Sequence, residues 1–251
     1  MCGIVGYVGK KECAPVLIAG LTGLEYRGYD SAGIAAIFED AFQVRKASGR
    51  LCNLEEELHK HPVSGHVGIG HTRWATHGKP SVVNCHPHCD HSGRVAVVHN
   101  GIIENYLELK EMLMRQGIVF RTETDTEVVA QLLGYYDQGD MLATLQKVLP
   151  MLQGSFALGI LSLREPEKIF AVRLGCPLIV GSADGASYLG SDVSALLEYT
   201  RDMFILEDLE IAVLQEKGIA FYHPDGTPLE KKSLHISWSA SAAQKDGFDH
   251  F

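Results

Sequence analysis

The second residue of the chain is a cysteine, and it stands where a thiol and a free amine could share one carbon skeleton. A small residue at position 2 leaves Met1 open to removal, and removal would make Cys2 the N-terminus. Its α-amine, with a reference pKa of about 8, could then take the proton of its own thiol through a water, a nucleophile and base in one residue. The competing reading is plain: a Cys ahead of Gly3-Ile4-Val5-Gly6 is also what the start of a buried strand looks like, and cysteine packs as a small hydrophobe. Further polar blocks decide between the two. His71-Thr72-Arg73-Trp74-Ala75-Thr76-His77-Gly78 places a guanidinium, an indole and two imidazoles after an apolar run. The fork of Arg73 suits a planar carboxylate, and an ion-paired Arg beside a packed Trp would read the same way. In Val97-Val98-His99-Asn100-Gly101, the Asn amide and the Gly N–H could converge as donors on one oxyanion, whereas Asn-Gly before a second strand would simply be a tight turn. Asp125 could hold an ammonium group, or only sit favourably at the positive end of a helix. Leu24 to Gly33, which contains Arg27, mixes charge, aromatics and glycine and reads locally as a helix end and turn. Cys85-His86-Pro87-His88-Cys89 resembles a metal cluster, but four ligands within five residues around a proline do not close a tetrahedron easily, so no metal and no cofactor is assigned.

These residues need elements to hold them. Gly3 to Val8 reads as a strand, followed by a helical apolar stripe from Ala14 through Leu21 and Leu24, with Pro15 in its first turn. Ile34–Phe38 and Phe42–Lys46 read as paired strands around Glu39-Asp40, and Leu51–His59 as an amphipathic helix. The block from His71 to Pro80 is too rich in special residues for a plain strand. Arg94 to Val98 is a strand that ends at Asn100-Gly101, with a helix from Ile102 whose apolar side carries Leu107, Leu109, Met112 and Leu113 and which stops at Gly117. Thr124-Asp125-Thr126-Glu127 is a capping-box pattern, and another helix runs from about Met141 to Leu152. After Gly154 the texture is strand upon strand, to Tyr222. Many strands with few helices indicate an α+β layered fold, not a doubly wound parallel sheet.

Composition narrows the function classes. The 251 residues are 46% hydrophobic, ample for a core, and carry a formal charge of −9, which argues against a nucleic-acid or anionic-membrane surface. Six irregularly spaced cysteines without a secretory leader suggest reduced thiols and a cytoplasmic location, and no apolar stretch is long enough to span a bilayer.

Six ordered motifs carry a resemblance over nearly the whole chain: Cys2-Gly3-Ile4-Val5-Gly6, LEYRGYDSAG at 24–33, HTRWATHG at 71–78, NCHPH at 84–88, VVHNGIIEN at 97–105 and TETDTEV at 122–128. Together they resemble the glutaminase domains, class II glutamine amidotransferases, found at the N-terminus of glucosamine-6-phosphate synthases. Amidophosphoribosyltransferase and asparagine synthetase share the N-terminal Cys but carry other versions of the second and third motifs.

The resemblance implies an N-terminal-nucleophile hydrolase fold, a four-layer αββα sandwich. It implies that Cys2 attacks the side-chain amide of L-glutamine, giving glutamate and ammonia through a γ-glutamyl thioester, while Asn100 and the Gly101 N–H hold the oxyanion. Arg73 would bind the α-carboxylate and Asp125 the α-ammonium, Thr76 and His77 would line the pocket, Trp74 would gate the ammonia exit, and His86 and Arg27 would lie nearby. It further implies a glutaminase domain over residues 2–230 and a linker over 231–251, leading to an absent synthase domain that binds fructose-6-phosphate, and it is compatible with a homodimer of the full-length form. A glutamine-sensing or interaction domain without turnover, and the glutaminase domain of another class II amidotransferase, are the alternatives.

Overall fold

A computed structural model describes residues 2–27, 30–74, 79 and 81–237, with Arg27 represented by its backbone. In chain order the N-terminal half runs β1 (Gly3–Val8), α1 (Cys13–Thr22), β2 (Ser31–Phe38), β3 (Ala41–Ser48), α2 (Leu51–Lys60), β4 (Val67–Arg73), β5 (His88–Cys89) and β6 (Val95–Ile103). Three helices follow, α3 (Tyr106–Arg115), α4 (Asp125–Tyr136) and α5 (Met141–Val148). The rest is β7 (Gly154–Ser162), β8 (Ile169–Leu174), β9 (Ile179–Ala183), β10 (Ala186–Gly190), β11 (Asp202–Ile205), β12 (Ile211–Gln215), β13 (Gly218–Tyr222), β14 (Pro228–Leu229) and β15 (Leu234–His235).

The strands form two antiparallel sheets. The first has the order β15-β11-β9-β10-β1-β4-β2-β3 and the second β14-β13-β12-β8-β7-β6-β5. Three apolar clusters then define four layers. Ile4, Ile69 and Leu189 of the first sheet meet Val98, Leu161 and Leu214 of the second between the sheets. Leu17 and Leu21 of α1 and Leu54 of α2 cover the other face of the first sheet. Val129, Leu132 and Leu133 of α4, Leu113 of α3 and Leu145 of α5 cover the second. A sheet buried on both faces needs apolar side chains in both alternating sets, which is why β1 and most of β6 are buried without interruption. This is the αββα arrangement expected from the resemblance.

Three local expectations are corrected. His71, Thr72 and Arg73 complete β4: His71 and Thr72 pair on both sides, His71 with Ile4 and with Gly33, and Arg73 pairs with Ser31 of β2. Likewise β6 does not stop at Asn100-Gly101 but pairs with β7 as far as Ile103 opposite Gly154, and α3 starts only at Tyr106. Leu107, placed on the apolar side of that helix, is 60% exposed, while Leu109 and Leu113 are buried. Two residues are about 200° of helical turn, so Leu107 cannot share the face that buries Leu109 and Leu113.

Gly117 does end α3, in the left-handed region at φ 84°. The capping box at α4 is half formed. The Thr124 hydroxyl accepts from Glu127 N, but the Glu127 carboxylate takes the N–H groups of Arg121 and Thr122 instead of returning to Thr124. Within the stretch read as linker, Leu234–His235 pairs with Asp202–Met203 and Ile236 is buried against the first sheet's outer cluster.

Candidate active site

The site lies at one end of the sandwich, where β1 begins, β4 ends and β6 passes between them in the opposite sheet. Cys2 directly precedes β1, a central strand held by β10 on one side and β4 on the other. Gly3 allows the close approach that this requires, since a Cβ there would lie 2.7 Å from Thr72 Oγ1. The half-buried Cys2 thiol sits against the end of β4: Trp74 N donates to Sγ at 3.2 Å, and Sγ lies 3.5 Å from Trp74 O.

Asn100 reaches Cys2 from the other sheet, its Nδ2 donating to Cys2 O at 3.3 Å. Gly101 follows at φ 123°, and a Cβ there would come within 2.1 Å of Ser155 O on β7. No L side chain fits that position without moving the strand pair. The Asn-Gly signal is therefore a local distortion inside a strand, not a hairpin turn. Asp125 is the first residue of α4, 4% exposed, and its Oδ2 accepts from Ile103 N at 2.9 Å. The positive end of α4 favours the carboxylate there.

Cys2, Arg73, Trp74, His86, His99, Gly101, Thr124, Asp125 and Thr126 line one cavity of about 260 Å³ including its open mouth. Within it a buried cation, Arg73, and a buried anion, Asp125, come from different layers of the sandwich. Trp74 is 56% exposed at the mouth.

The structure thus brings together Cys2, Asn100, Gly101, Arg73, Trp74, Asp125 and His86. Thr76 and His77 lie outside the described residues. Arg27 ends a short 3-10 turn, Glu25–Arg27, and its side chain is likewise outside them.

A group of buried imidazoles was not singled out by residue type or spacing. His71, His86, His88 and His99 are all at most 5% exposed. His71 stacks on His86 with ring centroids 4.0 Å apart, and His86 Nδ1 accepts from His99 N at 3.2 Å. That leaves His86 Nε2 to donate to Thr126 Oγ1 at 3.3 Å, and the same hydroxyl lies 2.9 Å from His99 Nδ1. His88 Nε2 lies 3.2 Å from Thr124 Oγ1. A sequence signal existed, in that His71 and His99 each interrupt an otherwise apolar strand, but nothing local says that the two strands meet.

Electrostatically the site keeps its thiol and its buried imidazoles neutral. Burial pushes the Cys2 thiol pKa up, against the Trp74 N–H and the Arg73 charge, which lower it; Asp30 adds to the rise. Burial also lowers the His71 pKa to about 3, and it holds His86 and His88 well below the usual range, with neighbouring imidazoles and Arg73 adding to the effect. A thiol held protonated needs a base at the moment of attack. Among the described residues no group of three or more His, Cys, Asp or Glu side chains is arranged to hold a metal ion. In the Cys85 to Cys89 block, Cys85 Sγ donates to Ser81 O at 3.2 Å, and His88 and Cys89 form β5.

Comparison with known proteins agrees with this geometry. The family model described as a glutamine amidotransferase domain matches residues 39–219. Glutamine–fructose-6-phosphate aminotransferases (isomerizing) from Clostridium acetobutylicum and Caldanaerobacter subterraneus are 49% and 51% identical over all 251 residues. The chain spans 41% of the length of each. Among solved structures, glutamine phosphoribosylpyrophosphate amidotransferase from B. subtilis, complexed with ADP and GMP, superposes with a TM-score of 0.76 at 26% identity, covering 89% of this chain and 49% of that one. A structure of the allosteric regulatory enzyme of purine biosynthesis gives 0.78 at 27% identity with the same coverage. A matching domain model over most of the chain, together with four layers that place Cys2 at the head of a central strand, assigns the protein to the glutamine amidotransferase domain family, with the N-terminal-nucleophile hydrolase fold.

Proposed function

We propose that the protein hydrolyses L-glutamine to glutamate and ammonia, with Cys2 as nucleophile once Met1 is removed. The observation that carries the reading is the shared cavity in which the Cys2 thiol, Arg73 and Asp125 meet. Free glutamine carries an α-carboxylate and an α-ammonium, and a site with one fixed cation and one fixed anion selects it over a peptide-bound side chain. Arg73 takes the carboxylate through two parallel N–H bonds, Asp125 takes the ammonium, and the γ-amide points at Sγ.

The Cys2 amine accepts the thiol proton through a water as sulfur adds to the amide carbon. The carbonyl oxygen becomes an oxyanion facing the Asn100 Nδ2 and the Gly101 N–H. The C–N bond then breaks, the amine's proton leaves with the nitrogen as ammonia, and a γ-glutamyl thioester remains. Water attacks the thioester, losing a proton to the same amine, and glutamate and the thiol are regenerated. Trp74, exposed at the mouth, covers the ammonia exit, and His86 supports the wall of the site. Thr76, His77 and Arg27 belong to the same pocket in this reading.

Relatives that are longer by more than half suggest the use of the ammonia: amination of fructose-6-phosphate by a C-terminal synthase domain reached through residues 231–251, in a cytoplasmic enzyme that assembles as a homodimer. Protein whose mass shows Cys2 at the N-terminus should release glutamate from glutamine, and Cys2→Ala should abolish release. Activity persisting in Cys2→Ala, or glutamine binding without any turnover by the processed protein, would overturn the proposal.

A further inference from the structure

His71 has no part in the reaction above, yet it joins the two sheets beside the nucleophile. It lies on β4, 1% exposed, and its Nε2 is 2.9 Å from His99 O and 3.0 Å from Asn100 Oδ1, both on β6. The contacts settle every proton in this group. Cys2 O can only accept, so the Asn100 atom 3.3 Å from it is the NH2, and Oδ1 therefore faces His71. His99 O also can only accept. One imidazole nitrogen facing two acceptors must carry the hydrogen, which makes His71 the Nε2–H tautomer. Its Nδ1 has no hydrogen-bond partner among the described residues, so a second proton there would be buried and unsatisfied. The stack on His86, at an interplanar angle of 17°, sets the plane of the ring.

We propose that His71 is a positioning residue for amide cleavage: its Nε2–H holds the Oδ1 edge of Asn100, so that the Nδ2 edge stays on the Cys2 side where the oxyanion develops. The inference rests on the glutaminase reading. Without the His71 hydrogen bond the carboxamide can turn over about its terminal torsion, which is broad and roughly two-fold. A turned amide presents an oxygen to the oxyanion and repels it.

The test is a double-mutant cycle with an independent reading of the tautomer. His71→Phe keeps a stacked ring and removes the donor. It should lower kcat about 10- to 100-fold, somewhat less than outright loss of an oxyanion donor, and change the KM for glutamine less than about 2-fold. In the Asn100→Ala background the same change should have almost no further effect, because the group it positions is gone. An unchanged kcat in His71→Phe, or losses that multiply in the double variant, would overturn the proposal. Nitrogen NMR of wild-type protein reads the tautomer without any variant: Nε2–H is expected across neutral pH, and Nδ1–H would overturn the proposal even if His71→Phe does not fold. Wild-type protein with the Nε2–H tautomer but no glutaminase activity would instead remove the glutaminase reading, and with it the role assigned to His71.

Discussion

Acid should unfold this protein through its buried imidazoles, and the size of the effect follows from the structure. His71 has a folded-state pKa of about 3, against an ordinary value near 6.5 in the unfolded chain. A depressed folded pKa contributes stability that is fully present above the unfolded pKa and is lost as pH falls toward the folded one. Between about pH 7.5 and about pH 5 the unfolded chain gains a proton that folded His71 refuses, and the linkage integral for that one group is about 2 kcal/mol. His86 and His88, held neutral by the same burial, act in the same direction. Protonation also removes a specific contact, since His86 Nδ1 accepts the His99 N–H and a charged ring cannot. The assay is urea unfolding followed by tryptophan fluorescence at a series of pH values, with the slope of stability against pH giving the protons taken up. Stability should fall from about pH 6.5 downward with a net uptake of protons, and His88→Gln should reduce that uptake. Equal stability at about pH 7.5 and about pH 5 would refute the claim that these rings are buried and neutral.

Other expectations are local. Gly101→Ala combines φ 123° with a Cβ 2.1 Å from Ser155 O, and should cost about 2–4 kcal/mol in urea unfolding; an unchanged midpoint would mean that β6 and β7 are not paired as described. Thr124→Ala removes both the cap on Glu127 N and the oxygen beside His88 Nε2, and should cost about 1 kcal/mol, with a raised KM for glutamine because Asp125 is the next residue. Arg73→Lys should raise the KM for glutamine at least about 10-fold with a much smaller change in kcat, since a point charge replaces a fork; unchanged binding would make Arg73 structural.

Much of the fold was legible where periodicity is strong. The strands from Gly154 to Tyr222 and the helix from Leu51 lie close to where alternation and the helical stripe put them. The errors fell where chemistry displaced regularity. His71, Thr72 and Arg73 are polar, yet they complete a buried strand, because their side chains serve a site while their backbones still pair, His71 and Thr72 with β1 and β2 and Arg73 with β2. Asn100-Gly101 carries the strongest short turn signal in the chain, and β7 nevertheless pairs through it. Nucleophile, cation and anion were each visible as residue types at suggestive places. The imidazole group was not, because its members are contributed by two sheets and a loop, and only the packing of β4 over β6 brings them together.

That packing also explains why recognition and chemistry occur in one small cavity. Cys2 and Arg73 belong to the first sheet, Asn100 and Gly101 to the second, and Asp125 to the helix layer behind it. In the proposed reaction, carboxylate, ammonium and reacting amide are therefore held by three different layers. No two of these contacts can shift together through a local loop movement, so a glutamine engaged by both charges has its amide carbon fixed relative to Sγ by the core of the sandwich itself. A near-attack geometry set this way is worth several kcal/mol of the barrier, on the order of what proximity supplies in well-oriented systems. It follows that core substitutions between the sheets, such as Val98→Ala within the inter-sheet cluster, should reduce kcat/KM beyond their effect on the folded fraction. Activity that tracks folded protein alone, with kcat/KM per folded molecule unchanged, would show that the site is held by its loops and not by the sandwich.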